Sequence, residues 1–254
     1  MQDDRSKHKE KIASIMILTG NVSSEHTRRA IECVEKFTKL PYELFILRDE
    51  REHFGFSRDS NRLLQIAEGK YLILLNDDCY VTEGWLESLV AVAESDESVG
   101  LVGAKLYDRE GKEQSFGSPF DFGNSRLASV AKKAFLRLPL YKQYITFAVV
   151  LMKREVIQKV GYLDESFELG FEDTEFCFRA QNSGFRIADS DIRALHLSNT
   201  SSRSIRSAAK SVKGFVIFYR RLRWSIAKIM YVGAWWTVVS YSRRFFDRQY
   251  KKID

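Results

Sequence analysis

Short apolar runs alternate with segments of helical periodicity along the chain, and this alternation restricts the fold more than any other feature. The runs are apolar on both faces, which is typical of strands buried in a parallel sheet. Between them, apolar residues recur every three or four positions, as they do from Ala30 to Phe37. The first four runs occupy residues 12–18, 42–47, 71–76 and 99–108. This order predicts an α/β fold with a mostly parallel sheet flanked by helices.

Turn and capping residues separate these elements. Ser23 or Ser24 is suited to cap the helix that contains Ala30, and Pro41 stops that helix. Gly69 occupies the position expected of a helix C-terminal cap before the third strand. Residues 112–145 mix aromatics and glycines with a basic stretch, and we predict that they form loops at the rim of an active site.

The alternation resumes at residue 146 and continues to about residue 202. It predicts a strand at TFAVVLM (146–152), helices at KREVIQKVG (153–161) and EDTEFCFRAQNSG (172–184), and a strand at FRIADS (185–190). His196 follows the last of these strands. We therefore place one α/β domain at residues 1–202, which is a size that supports a single large core.

Two adjacent carboxylates, Asp77 and Asp78, end the apolar run YLILLN. A carboxylate withdrawn from water needs a cation, a metal ion or several hydrogen-bond donors as its partner. In open α/β sheets, ligands bind beyond the carboxyl ends of the strands, which is where these two acids lie. Their position favours a ligand site, although two acids after a strand are also common in turns and at helix starts.

Two further polar features interrupt the apolar framework, namely the pair Glu172–Asp173 and the single histidine His196. Carboxylates and an imidazole are suitable ligands for Mg²⁺ or Mn²⁺, and such an ion keeps positions open for substrate phosphates. Each feature alone has a structural explanation, because acids favour helix starts and a lone histidine is often a packed side chain. Their joint occurrence in one sheet framework predicts a metal-dependent site.

The cysteines and the N-terminus indicate the compartment. Cys33, Cys79 and Cys177 are widely separated, which fits neither a disulfide framework nor a zinc site. We interpret Cys79 as a small buried residue, in spite of its position beside the acids. The N-terminus is charged, and no apolar run reaches the length of a membrane span, about 18–20 residues. These features predict a cytoplasmic protein.

The positive charge of the chain is concentrated in its last fifth. Residues 203–254 hold 13 Lys and Arg against 2 Asp and Glu, a net charge of +11, whereas residues 1–202 hold 27 against 32, a net charge of −5. Apolar residues in the tail recur at helical spacing from Phe215 to Ile229, and three of the four tryptophans lie there. We therefore interpret residues 203–254 as a basic amphipathic helical tail.

A basic amphipathic helix with tryptophan anchors suits the surface of an anionic bilayer, so we predict a peripheral position on the inner face of the cell membrane. The alternative is a helix packed on its own domain or on a partner subunit, as in a homodimer. No recognised nucleic-acid-binding motif accompanies the charge, so we expect no nucleic acid partner.

Over residues 12–200 the chain resembles the family 2 glycosyltransferases of GT-A fold, and among them the rhamnosyltransferase-like group. Three stretches carry the resemblance, and their order and spacing are specific: FGFSRDSNRLLQIAEGKYLILLNDDCYVTEGWLESL, VGLVGAKLYDREGKEQSFG, and KREVIQKVGYLDESFELGFEDTEFCFRAQNSGFRIADSDIRALH. The resemblance implies the nucleotide-diphospho-sugar transferase fold. It also implies transfer of a sugar from a UDP-, dTDP- or GDP-linked donor to a glycan or lipid-linked acceptor.

The resemblance also assigns expected roles to individual residues. Asn76, Asp77 and Asp78 match the family's DxD-type element, in which the last acid binds Mn²⁺ or Mg²⁺ and Asp77 lies nearer the ribose or the sugar. His196 matches the histidine that completes the metal site. Asp173, next to Glu172, matches the general base of an inverting displacement. The expected nucleotide contacts are Thr19, Asn21 and Asn61, with Arg48 or Asp49 at the place of the family's base-binding aspartate.

Two alternatives stay open at the level of sequence. A sugar nucleotidyltransferase also joins an α/β sheet to a metal ion, but it should carry a glycine-rich phosphate loop near its first strand, which TGNVSSEH lacks. A catalytically inactive binding module with the same fold is the second alternative. The presence of both acidic pairs and of His196 argues against it.

Overall fold

The computed structural model describes residues 12–48, 55–114, 144–167, 170–197 and 212–221, except for 215 and 219. The strands are β1 (Ala13–Thr19), β2 (Tyr42–Arg48), β3 (Tyr71–Asn76), β4 (Cys79–Tyr80), β5 (Val99–Tyr107), β6 (Val149–Lys153) and β7 (Arg186–His196). The helices are α1 (Glu25–Phe37), α2 (Phe56–Ile66), α3 (Trp85–Glu94), α4 (Arg154–Val160) and α5 (Glu172–Asn182). The described residues between 212 and 221 are also helical and are called the C-terminal helical segment.

In the described part of the chain, the strands form one sheet in the order β2-β1-β3-β6-β5-β7-β4. Strands β1, β2 and β3 pair in parallel, and β5 pairs in parallel with β7. Strand β6 lies antiparallel between β3 and β5, and β4 is antiparallel to β7. The predicted α/β fold with a mostly parallel sheet flanked by helices is therefore confirmed.

The core lies on both faces of the sheet because alternate side chains of each strand point to opposite sides. In β3, Ile73 and Leu75 belong to a cluster that includes Trp85 and Leu89 of α3. Leu72 and Leu74 belong to a second cluster, which α2, α4 and α5 cover on the opposite face. The all-apolar sequence YLILL is thus explained by burial on two sides, as the sequence predicts.

Three local predictions differ from the structure. The strand predicted at 146–152 begins only at Val149, because Phe147 and Ala148 form a turn. The strand predicted at 185–190 continues to His196, because its C-terminal end pairs with β4. Gly69 is not the cap of α2, because the helix ends at Ile66 and Ala67 is its C-cap. The capping role of Ser24, in contrast, is confirmed, because its side chain accepts a hydrogen bond from the Thr27 N–H.

The basic tail at 203–254 stays a prediction, because residues 203–211, 215, 219 and 222–254 lie outside the described residues. Within the described ranges, no helix has both the length and the apolar character required to cross a bilayer. The C-terminal helical segment contacts the α/β domain, through Gly214 and Phe218 among others.

A close approach of two backbone segments explains Gly69 and yields a prediction. A Cβ at Gly69 would lie 2.6 Å from the Ala13 carbonyl carbon and 2.6 Å from the Ser14 nitrogen. Gly69→Ala should therefore lower the free energy of unfolding by about 1–3 kcal/mol, since backbone atoms must move to admit the methyl group. Urea denaturation measures this change. The control is Gly20→Ala, where no atom lies within 4 Å of the added Cβ. Equal stability of the two variants would contradict this explanation of Gly69.

Candidate active site

The pairing of β4 with β7 brings Asp78 and His196 together. Cys79 is the register partner of His196, and the Leu197 N–H donates to the Asp78 carbonyl oxygen over 3.1 Å. As a result, His196 Nε2 lies 3.5 Å from Asp78 Oδ1. Both side chains are partly exposed, so the pair is accessible from outside the core. The two predicted metal ligands therefore lie next to each other at one edge of the sheet.

Gln114 fixes the tautomer of His196. Its Nε2 donates to the His196 carbonyl oxygen over 2.7 Å, so the amide oxygen faces the ring and lies 2.6 Å from Nδ1. An amide oxygen only accepts hydrogen bonds, and therefore Nδ1 carries the proton. The lone pair is then on Nε2, on the side of Asp78. Sequence reasoning missed Gln114, which belongs to a range that it assigned to rim loops.

The electrostatic environment keeps His196 neutral. Burial lowers the pKa of His196, and the nearby Asp78 carboxylate opposes this effect only in part. A neutral imidazole whose Nε2 carries no proton is a form that binds metal ions. The arrangement at Asp78 and His196 therefore has the protonation state that a metal site requires.

Cys79 is the third potential ligand of this cluster. One ligand atom each from Asp78, Cys79 and His196 lies within 4.8 Å of the others. Cys79, however, is fully buried within the apolar core, and burial raises its pKa well above the usual value of a thiol. A protonated, fully buried thiol is a poor metal ligand. The structure thus places Cys79 as a core residue, next to a two-residue ligand set.

A network of hydroxyl groups connects Asp77 to the end of β1. The Thr27 hydroxyl lies 3.2 Å from Asp77 Oδ2, 2.9 Å from Thr19 Oγ1 and 2.8 Å from Ser24 Oγ. The backbone N–H of Asn21 donates to Thr19 Oγ1 over 3.0 Å. Three of the residues predicted to bind the nucleotide, Thr19, Asn21 and Asp77, therefore lie together. Thr27, at their centre, was missed because one threonine in an amphipathic helix has no distinctive sequence pattern.

The other predicted nucleotide-binding residues are less directly placed. Asn76 ends β3, and its N–H donates to the Ala148 carbonyl oxygen. Asn61 is buried, and its side chain bonds to both backbone groups of Leu163 and to Glu165 Oε1. These hydrogen bonds to Leu163 and Glu165 give Asn61 a structural role, and its contact with a nucleotide stays a prediction. Asp49 lies outside the described residues.

The second acidic pair begins helix α5 after a strained turn. Gly170 and Phe171 have φ values of 80° and 73°, and Phe171 is the only non-glycine residue with positive φ in the described ranges. A left-handed conformation costs a residue with a Cβ about 1–3 kcal/mol and is often found at functional sites. The turn directs the chain so that Glu172 and Asp173 occupy the first turn of α5.

Packing connects α5 to the end of β3 through the segment before β6. Residues 145–148 lie against α5, because the Phe147 ring is 5.8 Å from that of Phe176 and Cys177 Sγ is 3.9 Å from the Ile145 carbonyl oxygen. The Ala148 carbonyl oxygen accepts from Asn76 at the end of β3. Helix α5 therefore packs on a segment that is hydrogen-bonded to the strand preceding Asp77 and Asp78.

Burial raises the pKa values of the two acids by different amounts. It raises the pKa of Glu172 from its ordinary value of 4.5 to about 8, with a further contribution from the charge of Asp173. It raises the pKa of Asp173 from 3.8 to about 6, although hydrogen bonds from the Thr174 N–H and hydroxyl oppose the shift. At neutral pH, Asp173 is therefore ionised and Glu172 is protonated. Among the described residues, Oε2 of Glu172 is buried and has no hydrogen-bond partner.

Comparisons with known proteins bear on the family and the fold of the chain. Residues 16–161 match the family described as glycosyl transferase family 2. An uncharacterized protein of Sinorhizobium fredii, y4gI, is 34% identical over 150 residues, which is 55% of this chain and 16% of that protein. The O-antigen biosynthesis protein RfbC of Myxococcus xanthus is 29% identical over 167 residues, which is 59% of this chain and 13% of that protein. The chain therefore matches only a small part of each of these relatives.

Two solved structures share the fold. The structure of GalNAc-T7 with UDP, GalNAc and Mn²⁺ has a TM-score of 0.57 at 15% identity, covering 82% of this chain and 48% of that one. The structure of S. aureus TarS 1–349 has a TM-score of 0.55 at 14% identity, covering 82% and 64%. Together with the family match, they confirm the predicted GT-A fold.

The buried acid pair makes stability depend on pH. Because the pKa of Glu172 is higher in the folded chain, its protonation stabilises the fold fully below about 4.5, and this contribution is lost as the pH rises through about 8. Glu172→Gln should therefore be more stable than the wild type above pH 8, by roughly 1–3 kcal/mol. This range uses about 1.4 kcal/mol per pKa unit and is reduced because part of the Glu172 side chain is in contact with solvent. Urea denaturation at pH 5, 7 and 9 measures the difference. The exposed Glu110→Gln is the control, and identical pH profiles of all three proteins would contradict the assignment.

Proposed function

This chain belongs to glycosyl transferase family 2, and from that membership we propose that it transfers a sugar from a nucleoside-diphosphate donor to a hydroxyl group of an acceptor. The observation that carries the proposal is the pairing of Asp78 with His196 beside the β4–β7 ladder. This pair suits a cation and its phosphates, and Asp173 at the start of α5 is suited to accept a proton from the acceptor. The metal-assisted displacement that we propose uses both groups.

Asp78 and His196 would hold the divalent ion, Mn²⁺ or Mg²⁺. Ligands at about 2.1 Å from one ion and at right angles to each other lie about 3 Å apart, and the 3.5 Å between Nε2 and Oδ1 is close to that spacing. The neutral imidazole, oriented by Gln114, fits the same role. When bound, the ion would stabilise the negative charge of the departing diphosphate. The GalNAc-T7 structure, which contains UDP and Mn²⁺, supports this proposal by analogy of fold.

Asp173 is the proposed general base. Its pKa of about 6 keeps it ionised at neutral pH, yet basic enough to accept a proton from the acceptor hydroxyl as that hydroxyl attacks the sugar. The raised pKa of Glu172 favours its protonated form, which lowers the negative charge next to Asp173. Because Asp173 acts on the acceptor and not on the anomeric carbon, we expect a single displacement with inversion.

The hydroxyl network at the end of β1 is the proposed nucleotide side of the site. Thr19, Asn21 and Asp77 lie within one set of hydrogen bonds around Thr27, next to the proposed metal ligand Asp78. We retain Asn76, Asp49 and Asn61 as sequence-based candidates for the same role. The name of the RfbC relative, an O-antigen biosynthesis protein, supports a glycan or lipid-linked acceptor. A position on the inner face of the membrane is proposed from the charge of the tail alone.

The test of this function incubates the protein with a panel of UDP-, dTDP- and GDP-linked sugars in Mn²⁺ or Mg²⁺. Sugar transfer or donor hydrolysis is measured by the release of the nucleoside diphosphate. We expect turnover of at least one donor, with kcat/KM rising as the pH increases through about 6, the pKa of Asp173. Asp173→Asn should lower kcat by about 10²–10⁴ while nucleotide binding is retained. The control Asp191→Asn makes the same change at a side chain that is 98% exposed. Full activity of Asp173→Asn would exclude its role as the base.

The orientation of His196 by Gln114 gives a separate prediction about the metal ion. Gln114→Leu removes the acceptor of the Nδ1 proton, so the tautomer with an unprotonated Nε2 is no longer favoured. Mn²⁺ affinity, measured by calorimetry in the absence of any donor, should fall by about 10–100-fold. Gln158→Leu, the same change at an exposed position of α4, should leave the affinity unchanged. Equal affinity of both variants would show that Gln114 has no part in metal binding.

A further inference from the structure

The C-terminal helical segment approaches the turn before α5 at backbone distance. Gly214 is buried, and a Cβ at this position would lie 2.6 Å from the Gly170 carbonyl oxygen and 3.6 Å from Phe167 Cδ1. The turn at Gly170 immediately precedes the two acids. A glycine at position 214 therefore permits a direct contact between the tail and the backbone from which the proposed catalytic helix starts.

Phe218 contacts the same turn through its ring. Its side chain is 7% exposed, and its ring centroid lies 5.9 Å from that of Phe171 and 6.1 Å from that of Phe178, the latter edge to face. Phe171 precedes Glu172, and Phe178 lies further along α5. Phe218 thus contacts both the strained turn and helix α5, which follows that turn.

Arg221 connects the segment to the loop before the turn. Its guanidinium group pairs with Asp164, donates to Ser166 Oγ over 3.2 Å, and lies 5.4 Å from the Phe167 ring centroid. It also lies 3.9 Å from Glu175 in the first turns of α5. The tail therefore approaches the loop at 164–167, the turn at 170–171 and helix α5 through the side chains of Phe218 and Arg221 and the backbone of Gly214.

The conformation of Phe171 explains why such contacts matter. Its φ of 73° is unfavourable for a residue with a Cβ, so several contacts with the surrounding structure must stabilise this conformation. Some of that constraint comes from the Phe171–Phe218 contact, and the Gly170 carbonyl oxygen is fixed against Gly214. Without the tail, the turn could relax towards an ordinary conformation, and the direction of Glu172 and Asp173 would change with it.

We propose that the C-terminal helical segment is a positioning element of the active site, in which Phe218 and Gly214 hold the Gly170–Phe171 turn and thereby orient Glu172 and Asp173. The inference goes beyond the tail's predicted role at a membrane surface, and it rests on the proposed function for its catalytic consequence. Phe218 does not act on substrate. It acts through the turn, so its loss should affect the chemical step more than donor binding.

The experiment compares Phe218→Ala and Phe218→Leu with Val216→Ala, an exposed position on the same segment. Hydrogen exchange of peptides covering residues 170–182 reports on the turn and α5, and peptides from β1 and β3 report on the rest of the fold. We expect faster exchange at 170–182 in Phe218→Ala, little change in β1 and β3, partial recovery in Phe218→Leu, and wild-type behaviour in Val216→Ala. Gly214→Ala, which places a methyl group against Gly170, should resemble Phe218→Ala.

Kinetics with the donor identified by the panel supplies the catalytic readout. Phe218→Ala should lower kcat by about 10–10²-fold, as expected for a misplaced catalytic group, while the affinity for the nucleoside diphosphate of that donor, with Mn²⁺, stays within about twofold of the wild type. Unchanged exchange at 170–182 would overturn the proposal, as would equal losses in kcat, nucleoside-diphosphate affinity and global stability. If no donor is turned over by the wild type, the proposed function fails, and the exchange experiment still decides whether the tail holds the turn.

Discussion

The short ladder between β4 and β7 is the interaction on which the candidate site depends. Two residues of β4 pair with the end of β7, and this places His196 beside Asp78 although the two are far apart in the sequence. The same pairing explains why β7 extends beyond its apolar part. An antiparallel ladder at the sheet edge fixes the relative position of two side chains to within the flexibility of their rotamers, which a metal site needs.

The acids of α5 depend on a different constraint, the loop from residue 161 to residue 171. Helix α2 holds this loop from one side, because Ser57 donates to the Phe167 carbonyl oxygen and Asn61 bonds to Leu163. Arg179 of α5 donates to the carbonyl oxygens of Val160 and Tyr162. The C-terminal helical segment holds it from a third side. A strained turn persists only where several such contacts agree, and here they do.

The sequence was sufficient to predict the strands and helices, because buried apolar residues recur at a spacing that differs between the two. Strand β3 was predicted from YLILLN alone, since both of its faces are covered. Acids and a histidine at strand and helix ends interrupt that apolar pattern and so became the candidate site residues, of which Asp78 and His196 lie side by side in the structure. The role of Gly69 was predicted incorrectly, because only the folded chain shows that the Ala13–Ser14 backbone lies against it. Gln114 and Thr27 were missed for a similar reason, since their importance depends on the side chains next to them and not on a motif.

By itself, the sequence determined the α/β class, the positions of most elements and the set of ionisable residues that could carry chemistry, because these follow from periodicity and from residue type. Only the tertiary structure decided how those residues are arranged: which histidine nitrogen carries the proton, how burial raises the pKa values of Glu172 and Asp173, and what contacts the turn at Phe171. Tautomers, pKa values and backbone strain depend on contacts between residues distant in the sequence. Those contacts exist only once the chain has folded.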